Sequence, residues 1–247
     1  MKLTVLGCSG TLPGPDSPAS GYLVEEDGYR LVLDLGHGAL GPLQQHVAAH
    51  EVDAIVLSHL HGDHCIDLTA YVNVLRYGPI RANGRIPVIG PSGTRDRIET
   101  AYDPLARKLA LQELFDFSTP RSGELGPFAV SVAEVNHPVP AYAIRVSAGD
   151  RTLVYSGDTG ECDALVSLAH EANVLLCEAS MGPDDEHIPD LHMTGRQAGE
   201  HAAKAGVERL IVTHVPPWHS RDVAAAEAAS AFTGVVEAAQ PGAEYWI

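Results

Sequence analysis

Histidine and aspartate are concentrated in one short stretch of the chain. Residues 58–65 read SHLHGDHC, so three histidines and one aspartate fall within six positions, directly after the apolar run 54–57. Each imidazole or carboxylate can give one bond to a divalent cation, and four such groups after a buried strand have no evident structural purpose. The stretch therefore predicts a metal site. Its candidate ligands are His59, His61, Asp63 and His64.

The spacing of these four residues favours two cations. Side chains alternate along an extended chain, so His59 and His61 can face the same way. Asp63 and His64 follow on the turn into a predicted helix and can face a second cation. Four ligands this close would crowd one ion, whereas two ions would each need about two more ligands from elsewhere in the chain.

Three distant residues can supply the missing ligands. They are His137, Asp158 and His214. Each follows an apolar run, at the carboxyl end of a predicted strand, where open α/β sheets place their sites. A lone histidine at a strand end is more often a satisfied polar residue than a ligand. These three residues are therefore candidates only because the stretch at 59–64 needs partners.

The elements that must position these residues alternate along the chain. Short apolar runs and helical patterns are separated by glycine, proline and aspartate, which predicts an α/β domain with sheet inside and helices outside. No linker or repeat is visible, so we expect a single domain over residues 1–247. The predicted strands are Leu3–Cys8, Gly21–Glu25, Arg30–Asp34, Ala54–Ser58, Ile86–Ile89, Phe128–Glu134, Ala141–Val146, Thr152–Ser156, Val174–Cys177 and Arg209–Thr213. The predicted helices are Ala39–His50, Cys65–Tyr77, Gly93–Ala101, Cys162–Ala172, Thr194–Ala205 and Val223–Phe232.

Several residues near the ligands are expected to support them. A metal-bound histidine usually donates its other N–H to a carboxylate or carbonyl, and Asp34 is the candidate acceptor. Asp67 is expected to cap a helix or to contact one of the ligands rather than to bind metal itself. Cys65 is either a further ligand or, like the other cysteines, a small reduced apolar residue. Three histidines are expected on the surface: His170, His187 and His201.

The composition restricts the partners of the chain. Its 247 residues carry 16 Lys and Arg against 32 Asp and Glu, a formal net charge of −16. Phosphate backbones and anionic membranes are bound by basic side chains, so nucleic acid and membranes are unfavourable partners. The first eight residues favour a strand over a signal peptide, and no segment approaches the ~20 apolar residues of a membrane span. We therefore expect a cytoplasmic protein.

Four segments together resemble one protein family. HLHGDHCIDL, NHPVPAYAIRV, YSGDTG and LIVTHVP occur in the order typical of the metallo-β-lactamase-type hydrolase superfamily, over nearly the whole chain. The resemblance implies a four-layer αββα sandwich of two pseudo-symmetric halves, with two metal ions at one edge of the sheets. The ions are expected to be zinc, although manganese or iron would also tolerate the carboxylates. It implies that His59, His61 and His137 hold one ion, that Asp63, His64 and His214 hold the other, and that Asp158 bridges both.

Further segments resemble the ribonuclease Z branch of this superfamily. LLCEAS at 175–180, followed by DLHMTG at 190–195, is similar to a pattern in which a glutamate pairs with the histidine of an H-x-T motif. The pair would be Glu178 and His192. Ribonuclease Z itself normally carries a long basic arm between the third metal-binding histidine and the bridging aspartate. Here only 21 positions (158 minus 137) separate His137 from Asp158, which leaves no room for that arm.

The whole pattern is most similar to the atypical class II-like bacterial cyclic nucleotide phosphodiesterases. That resemblance implies hydrolysis of a small phosphodiester, 3′,5′-cyclic AMP, to a 5′-monophosphate by a hydroxide held between two metal ions. It implies that His192, oriented by Glu178, protonates the leaving oxygen, and that Asp63 accepts a proton from the nucleophile. Relatives often pair as dimers, so a homodimer is also expected.

Other functions and roles stay open at this stage. The chain could be a ribonuclease Z-like RNA 3′-processing endonuclease, or it could hydrolyse another ester such as a lactone, thioester or sulfate ester. It could also bind metal in a regulatory role without catalysis. Glu178 could be an ordinary acid at a strand end, with His192 exposed to solvent beside it.

Overall fold

The computed structural model describes residues 1–80, 84–103, 110–186 and 188–247. His187 lies outside the described residues. Fourteen strands and seven α-helices occur in these ranges. The strands are β1 (Lys2–Gly7), β2 (Gly21–Glu26), β3 (Tyr29–Leu35), β4 (Ala54–Val56), β5 (Ile86–Ile89), β6 (Phe115–Ser118), β7 (Gly123–Leu125), β8 (Phe128–Glu134), β9 (Tyr142–Ala148), β10 (Arg151–Tyr155), β11 (Val174–Glu178), β12 (Arg209–Thr213), β13 (Val235–Ala238) and β14 (Glu244–Trp246). The helices are α1 (Leu40–His46), α2 (Gly62–Cys65), α3 (Asp67–Tyr77), α4 (Thr94–Tyr102), α5 (Asp163–Leu168), α6 (Gly195–Ala205) and α7 (Arg221–Ala229).

The strands form two mixed sheets of seven. The first sheet has the order β14-β1-β2-β3-β4-β5-β6, and the second has the order β13-β12-β11-β10-β9-β8-β7. In the first sheet β14 to β3 pair antiparallel and β3 to β6 pair parallel. In the second sheet β7 to β10 pair antiparallel and β10 to β13 pair parallel. The two sheets therefore repeat one strand pattern, with the last strand of the chain completing the first sheet.

Alternating side chains divide the core into layers. Along β3, Leu31 and Leu33 pack into the core between the two sheets, whereas Val32 packs into a second core beneath α1, α3 and α4. Likewise Leu176 of β11 faces the inter-sheet core, and its neighbour Leu175 packs with α5, α6 and α7. Successive side chains of a strand point to opposite faces, so a sheet that is covered on both sides needs apolar residues at successive positions. The predicted αββα sandwich is confirmed.

Most predicted elements are present, with four strands missed and some helices too long. β6, β7, β13 and β14 are short edge strands of three or four residues with several exposed positions, so they lack the apolar run on which the prediction depended. The helix predicted over Ala39–His50 ends at His46, because Val47 adopts an extended conformation with φ −143°. No helix in the described part of the chain reaches the length and apolarity needed to cross a bilayer.

Candidate metal centre and active site

Four segments at one edge of the sandwich carry the predicted ligands, and Asp63 and His64 lie in helix α2 within the first of them. The stretch 59–64 follows β4, and single ligands follow β8, β10 and β12. β8 and β10 run in the same direction because each is antiparallel to β9, and β12 is parallel to β10 through β11. The N–H of Tyr142 donates to the carbonyl of Ser58 at 3.0 Å and links the two sheets at this edge. The carboxyl ends of these strands therefore meet at one place.

The first cluster holds four of the predicted ligands. His59, His61, His137 and Asp158 each offer one ligand atom, and these atoms lie within 4.8 Å of one another. His61 Nδ1 lies 3.0 Å from His59 Nε2 and 3.2 Å from His137 Nε2. Burial lowers the pKa of all three histidines, which favours the neutral form that can give a lone pair to a cation.

The second cluster is more buried than the first, with only Asp63 partly exposed, and it shares one member with the first. Asp63, His64, Asp158 and His214 again place their ligand atoms within 4.8 Å of one another. His64 Nε2 lies 3.2 Å from Asp158 Oδ1, and His214 Nε2 lies 3.3 Å from Asp158 Oδ2. The two oxygens of Asp158 thus face different histidines. The seven predicted ligands are brought together in the two groups that the sequence analysis expected.

Three buried atoms in the second cluster show that these residues suit a cation. His64 Nε2, His214 Nε2 and Asp158 Oδ1 are buried without a hydrogen-bond partner in the described structure. A buried polar atom without a partner costs about 1–3 kcal/mol, and a metal ion coordinated by these atoms would remove that cost. Nitrogen and carboxylate oxygen are the donors that zinc and similar divalent ions accept. The donor set therefore fits divalent metal binding.

The charges in the second cluster are strongly coupled. Burial raises the pKa of Asp63 and Asp158, but neighbouring histidines outweigh it and lower both pKa values. Burial lowers the pKa of His64, but the carboxylates of Asp158 and Asp34 outweigh it and raise that pKa. Both aspartates are therefore held as carboxylates, the form that binds cations.

Hydrogen bonds outside the clusters fix the histidine rings. His64 Nδ1 lies 2.7 Å from Asp34 Oδ2, as predicted from the sequence. His214 Nδ1 lies 2.7 Å from the hydroxyl of Ser20, and His59 Nδ1 lies 3.0 Å from the hydroxyl of Ser58. Neither serine was predicted from the sequence, because a single hydroxyl in a loop has no spacing pattern that reveals it.

A second acid–histidine pair lies beside the clusters. His192 Nδ1 lies 2.8 Å from Glu178 Oε1, and the two form a third group with Asp158. The Glu178 carboxylate also accepts hydrogen bonds from the backbone N–H groups of Thr159, Ser180 and Met193. Burial lowers the pKa of His192, but Glu178 outweighs it and raises that pKa to about 9. The structure thus brings together the predicted pair, and the Glu178 carboxylate favours the protonated imidazole.

Helix α6 begins three residues after His192, at Gly195. Thr194 caps the helix: its hydroxyl accepts from the N–H of Gln197, and the Gln197 side chain accepts from the N–H of Thr194. Such a capping box satisfies two backbone donors at the helix start. The predicted start of the helix at Thr194 therefore corresponds to its N-cap.

Other candidates fall outside the clusters. The Cys65 thiol donates to the carbonyl of His61 at 3.2 Å and belongs to neither cluster, and Asp67 accepts from the N–H of Leu40 at 2.9 Å near the start of α1. The expected surface position of His201 is wrong. Its side chain is only 2% exposed, because its Nε2 accepts from the N–H of Cys162 and its Nδ1 donates to the carbonyl of Gln197.

Two glycines allow loops to approach the clusters closely. A Cβ atom on Gly36 would lie 1.8 Å from the carbonyl oxygen of Asp63, and one on Gly10 would lie 2.3 Å from that of His214. No larger residue fits either position without moving the backbone of a predicted ligand. Both loops therefore help to define where those ligands lie.

Comparison with known proteins gives the same family as the sequence pattern. Residues 29–215 match the model described as "Beta-lactamase superfamily domain". The chain is 43% identical to ML1173, an uncharacterized protein of Mycobacterium leprae, over 98% of this chain and 87% of that protein. It is 31% identical to the probable metallo-hydrolase YhfI of Bacillus subtilis, over 98% of both chains.

Two further comparisons concern the fold and the branch. The crystal structure of YhfI, described as a metallo-beta-lactamase fold protein, superposes with a TM-score of 0.87 at 28% identity and covers 99% of each chain. Ribonuclease Z of Thermobifida fusca is 27% identical over 97% of this chain and 92% of its own length. The family match covers well over half of the chain. The chain therefore belongs to the beta-lactamase superfamily and has the metallo-beta-lactamase fold.

Proposed function

We propose that this protein is a metal-dependent hydrolase of small phosphodiesters, with a 3′,5′-cyclic nucleotide such as cyclic AMP as its substrate. One observation carries the proposal: Asp158 belongs to two clusters of metal-ligand type, with the Glu178–His192 pair beside them. Paired ligand sets with a shared carboxylate are typical of two-metal phosphodiester chemistry. The names of YhfI, a probable metallo-hydrolase, and of ribonuclease Z support hydrolysis as the reaction class.

The residues of the site divide into those that would bind metal ions and those that would transfer protons. His59, His61 and His137 would hold one ion, Asp63, His64 and His214 the other, and Asp158 both. When bound, two such ions supply an activated water near neutral pH and neutralise charge on a phosphoryl oxygen. Asp63, 12% exposed at its side chain, can accept a proton from an attacking water. The rest of the chemistry depends on His192.

His192 is the proposed general acid. Its ring centroid lies 5.5 Å from that of His137 and 5.9 Å from that of His214, so it stands between the two ligand clusters. Glu178 is fixed by three backbone donors and in turn stabilises the protonated imidazole. The free Nε2–H can then donate its proton to the leaving oxygen. General acid catalysis of this kind contributes about 10²–10⁴-fold to a rate.

The substrate is proposed to be small because the interval between His137 and Asp158, all of which the structure describes, holds no long arm for RNA. β9 and β10 occupy most of the interval between His137 and Asp158. The net charge of −16 also disfavours a polyanion. The second candidate function is RNA 3′ processing, which the 27% identity with ribonuclease Z favours.

One experiment separates these candidates. The purified protein is analysed for metal content, and the same sample is tested on bis(p-nitrophenyl) phosphate, cyclic AMP and a precursor tRNA. We expect transition metal at about two ions per chain, turnover of both small diesters and no cleavage of RNA. His61→Ala should abolish turnover, whereas the matched change His170→Ala, at a side chain 69% exposed, should not. Cleavage of RNA without turnover of cyclic AMP would make RNA 3′ processing the favoured function. A metal-loaded protein that is inactive on all three substrates would refute a phosphodiesterase.

A further inference from the structure

A small cavity lies at the edge of the second sheet that carries the proposed catalytic residues, between the loop after β11, the loop after β12 and helix α7. Its volume is about 170 Å³. Ala179 and Val215 line it, and they follow Glu178 and His214 directly in the chain. Adjacent Cα atoms are about 3.8 Å apart, so the backbone of the cavity wall is continuous with that of Glu178 and His214.

A buried carboxylate oxygen without a partner lines this cavity. Glu227, on α7, is a lining residue, and its Oε2 is buried with no hydrogen-bond partner within the ranges that the structure describes. Leaving such an acceptor unpaired is costly, and a ligand that brings an N–H donor would remove that cost. Nothing in the alanine-rich sequence RDVAAAEAA of α7 singles out this residue.

The rest of the cavity suits a flat apolar ring. Met181, Val215 and Val223 line it, and Trp218 adds an indole that is 62% exposed. Aromatic side chains can stack on any nucleobase, since every base has a π-face. Ligand sites for drug-sized molecules measure about 300–1,000 Å³, so this cavity matches one ring system and not a whole nucleotide.

The wall of the cavity is fixed before any ligand binds. His219 Nε2 lies 2.9 Å from Asp185 Oδ2, which also accepts from the N–H of Gly182 at 2.8 Å. A Cβ on Gly182 would lie 2.5 Å from the His219 ring, so the two loops pack in direct contact. A preformed wall lowers the entropy lost on binding.

We infer that this cavity binds the base of the nucleotide substrate, with Glu227 accepting a hydrogen bond from an amino group on the base and Trp218 packing against its face. This inference rests on the proposed function, because it assumes that the phosphodiester at the ligand clusters belongs to a nucleotide. It identifies Glu227 as a specificity-determining residue for an amino-bearing base such as adenine.

Kinetics with a matched pair of substrates tests the inference. Cyclic AMP is compared with the cyclic monophosphate of purine riboside, which lacks the amino group. We expect kcat/KM to be about tenfold or more higher for cyclic AMP, as one hydrogen bond to a charged acceptor implies. Glu227→Leu should reduce this ratio to about one. The matched variant Glu208→Leu, at an exposed glutamate at the opposite end of β12, should keep the wild-type ratio. A ratio near one in the wild type, or an unchanged ratio in Glu227→Leu, would overturn the inference.

Thermal unfolding shows whether Glu227 is only structural. Removing a carboxylate whose buried Oε2 has no partner should leave the Tm of Glu227→Leu unchanged or raise it. A Tm several degrees below that of the wild type would assign Glu227 a structural role and contradict the inference.

A binding measurement separates this inference from the proposed function. The chain has two tryptophans, so Trp246→Phe leaves Trp218 as the single indole. Adenosine should quench Trp218 fluorescence in this variant, and adding Glu227→Leu should weaken that binding about tenfold or more. If the protein hydrolyses no phosphodiester but this quenching occurs, the proposed function fails and the base cavity stands. If bis(p-nitrophenyl) phosphate is hydrolysed but adenosine does not quench Trp218, the cavity inference fails and the proposed function stands.

Discussion

Oδ2 of Asp34 lies 2.7 Å from Nδ1 of His64, and the same carboxylate connects both sheets. It accepts from the N–H and hydroxyl of Ser58 and from the hydroxyl of Tyr155, each at 2.7 Å. Asp34 is on β3 of the first sheet and Tyr155 on β10 of the second. Asp34 also adopts a left-handed conformation, with φ +56°. One fully buried acid therefore orients a proposed ligand and fixes the strand ends around it.

Replacing Asp34 by Asn should weaken metal binding without removing a ligand. An amide cannot accept from all the donors that face this carboxylate, so His64 loses its fixed orientation. We expect metal affinity to fall about 10–100-fold, measured by competition with a chromophoric chelator. Tyr155→Phe, which removes one donor and keeps the acid, should cause a smaller loss. Equal affinity in Asp34→Asn and the wild type would contradict the orienting role.

Replacing His192 by Ala should separate catalysis from metal binding. We expect metal content to stay at the wild-type level, while kcat for cyclic AMP falls about 10²–10⁴-fold, because the proton donor is lost. Elemental analysis and kinetics on one preparation measure both quantities. Glu178→Gln keeps a hydrogen-bond acceptor but removes its charge, so its kcat should lie between those of the wild type and His192→Ala. If His192→Ala lost its metal, the residue would be a ligand or a structural support and not the acid.

Removing the metal should destabilise the fold. A ligand that binds only the native state adds about 2.7 kcal/mol at 100 times its Kd. We therefore expect a chelator to lower Tm by several degrees and added Zn²⁺ to restore it, measured by differential scanning calorimetry. Asp158→Ala, which lacks the residue shared by both clusters, should show little response to Zn²⁺. A wild-type Tm that changes with neither the chelator nor added Zn²⁺ would argue against a bound ion.

Adding one methyl group at Gly36 should disturb the second cluster. The new Cβ would lie 1.8 Å from the carbonyl oxygen of Asp63, so the backbone there must move. We expect Gly36→Ala to lower the free energy of unfolding by about 1–3 kcal/mol or more and to reduce metal content. Gly41→Ala is the matched control. That residue lies in α1 with nothing within 4 Å of the new atom, and alanine there should stabilise the helix by up to about 1 kcal/mol.

The four cysteines should differ in reactivity. Burial raises the pKa of the Cys8, Cys65 and Cys177 thiols, so each has less thiolate at pH 8 than a free cysteine. Cys162 is half-buried. We therefore expect iodoacetamide at pH 8 to modify Cys162 in the native protein and the other three only after unfolding, as mapped by mass spectrometry. Rapid native labelling of Cys177 would contradict its burial.

The seven clustered residues could be predicted from the sequence because each follows a recognisable apolar strand. Asp158 and His214 lie far apart in the chain, but the ends of parallel strands meet at one edge whatever lies between them. His201 shows where this reasoning ends. Its burial depends on a backbone N–H at Cys162, which no local pattern indicates. Ser20 and Glu227 were missed for the same reason, since their partners come from tertiary structure alone.

Each ligand cluster takes two members from the half of the chain before β7 and two from the half after it. The first half contributes His59 and His61 to one cluster and Asp63 and His64 to the other. Any ion bound there would therefore link the two sheets through its ligands. A polypeptide cut between β6 and β7 would yield two fragments, each with an incomplete coordination sphere, and metal would promote their reassembly. The proposed metal centre would therefore connect the two parts of the chain in addition to any catalytic role.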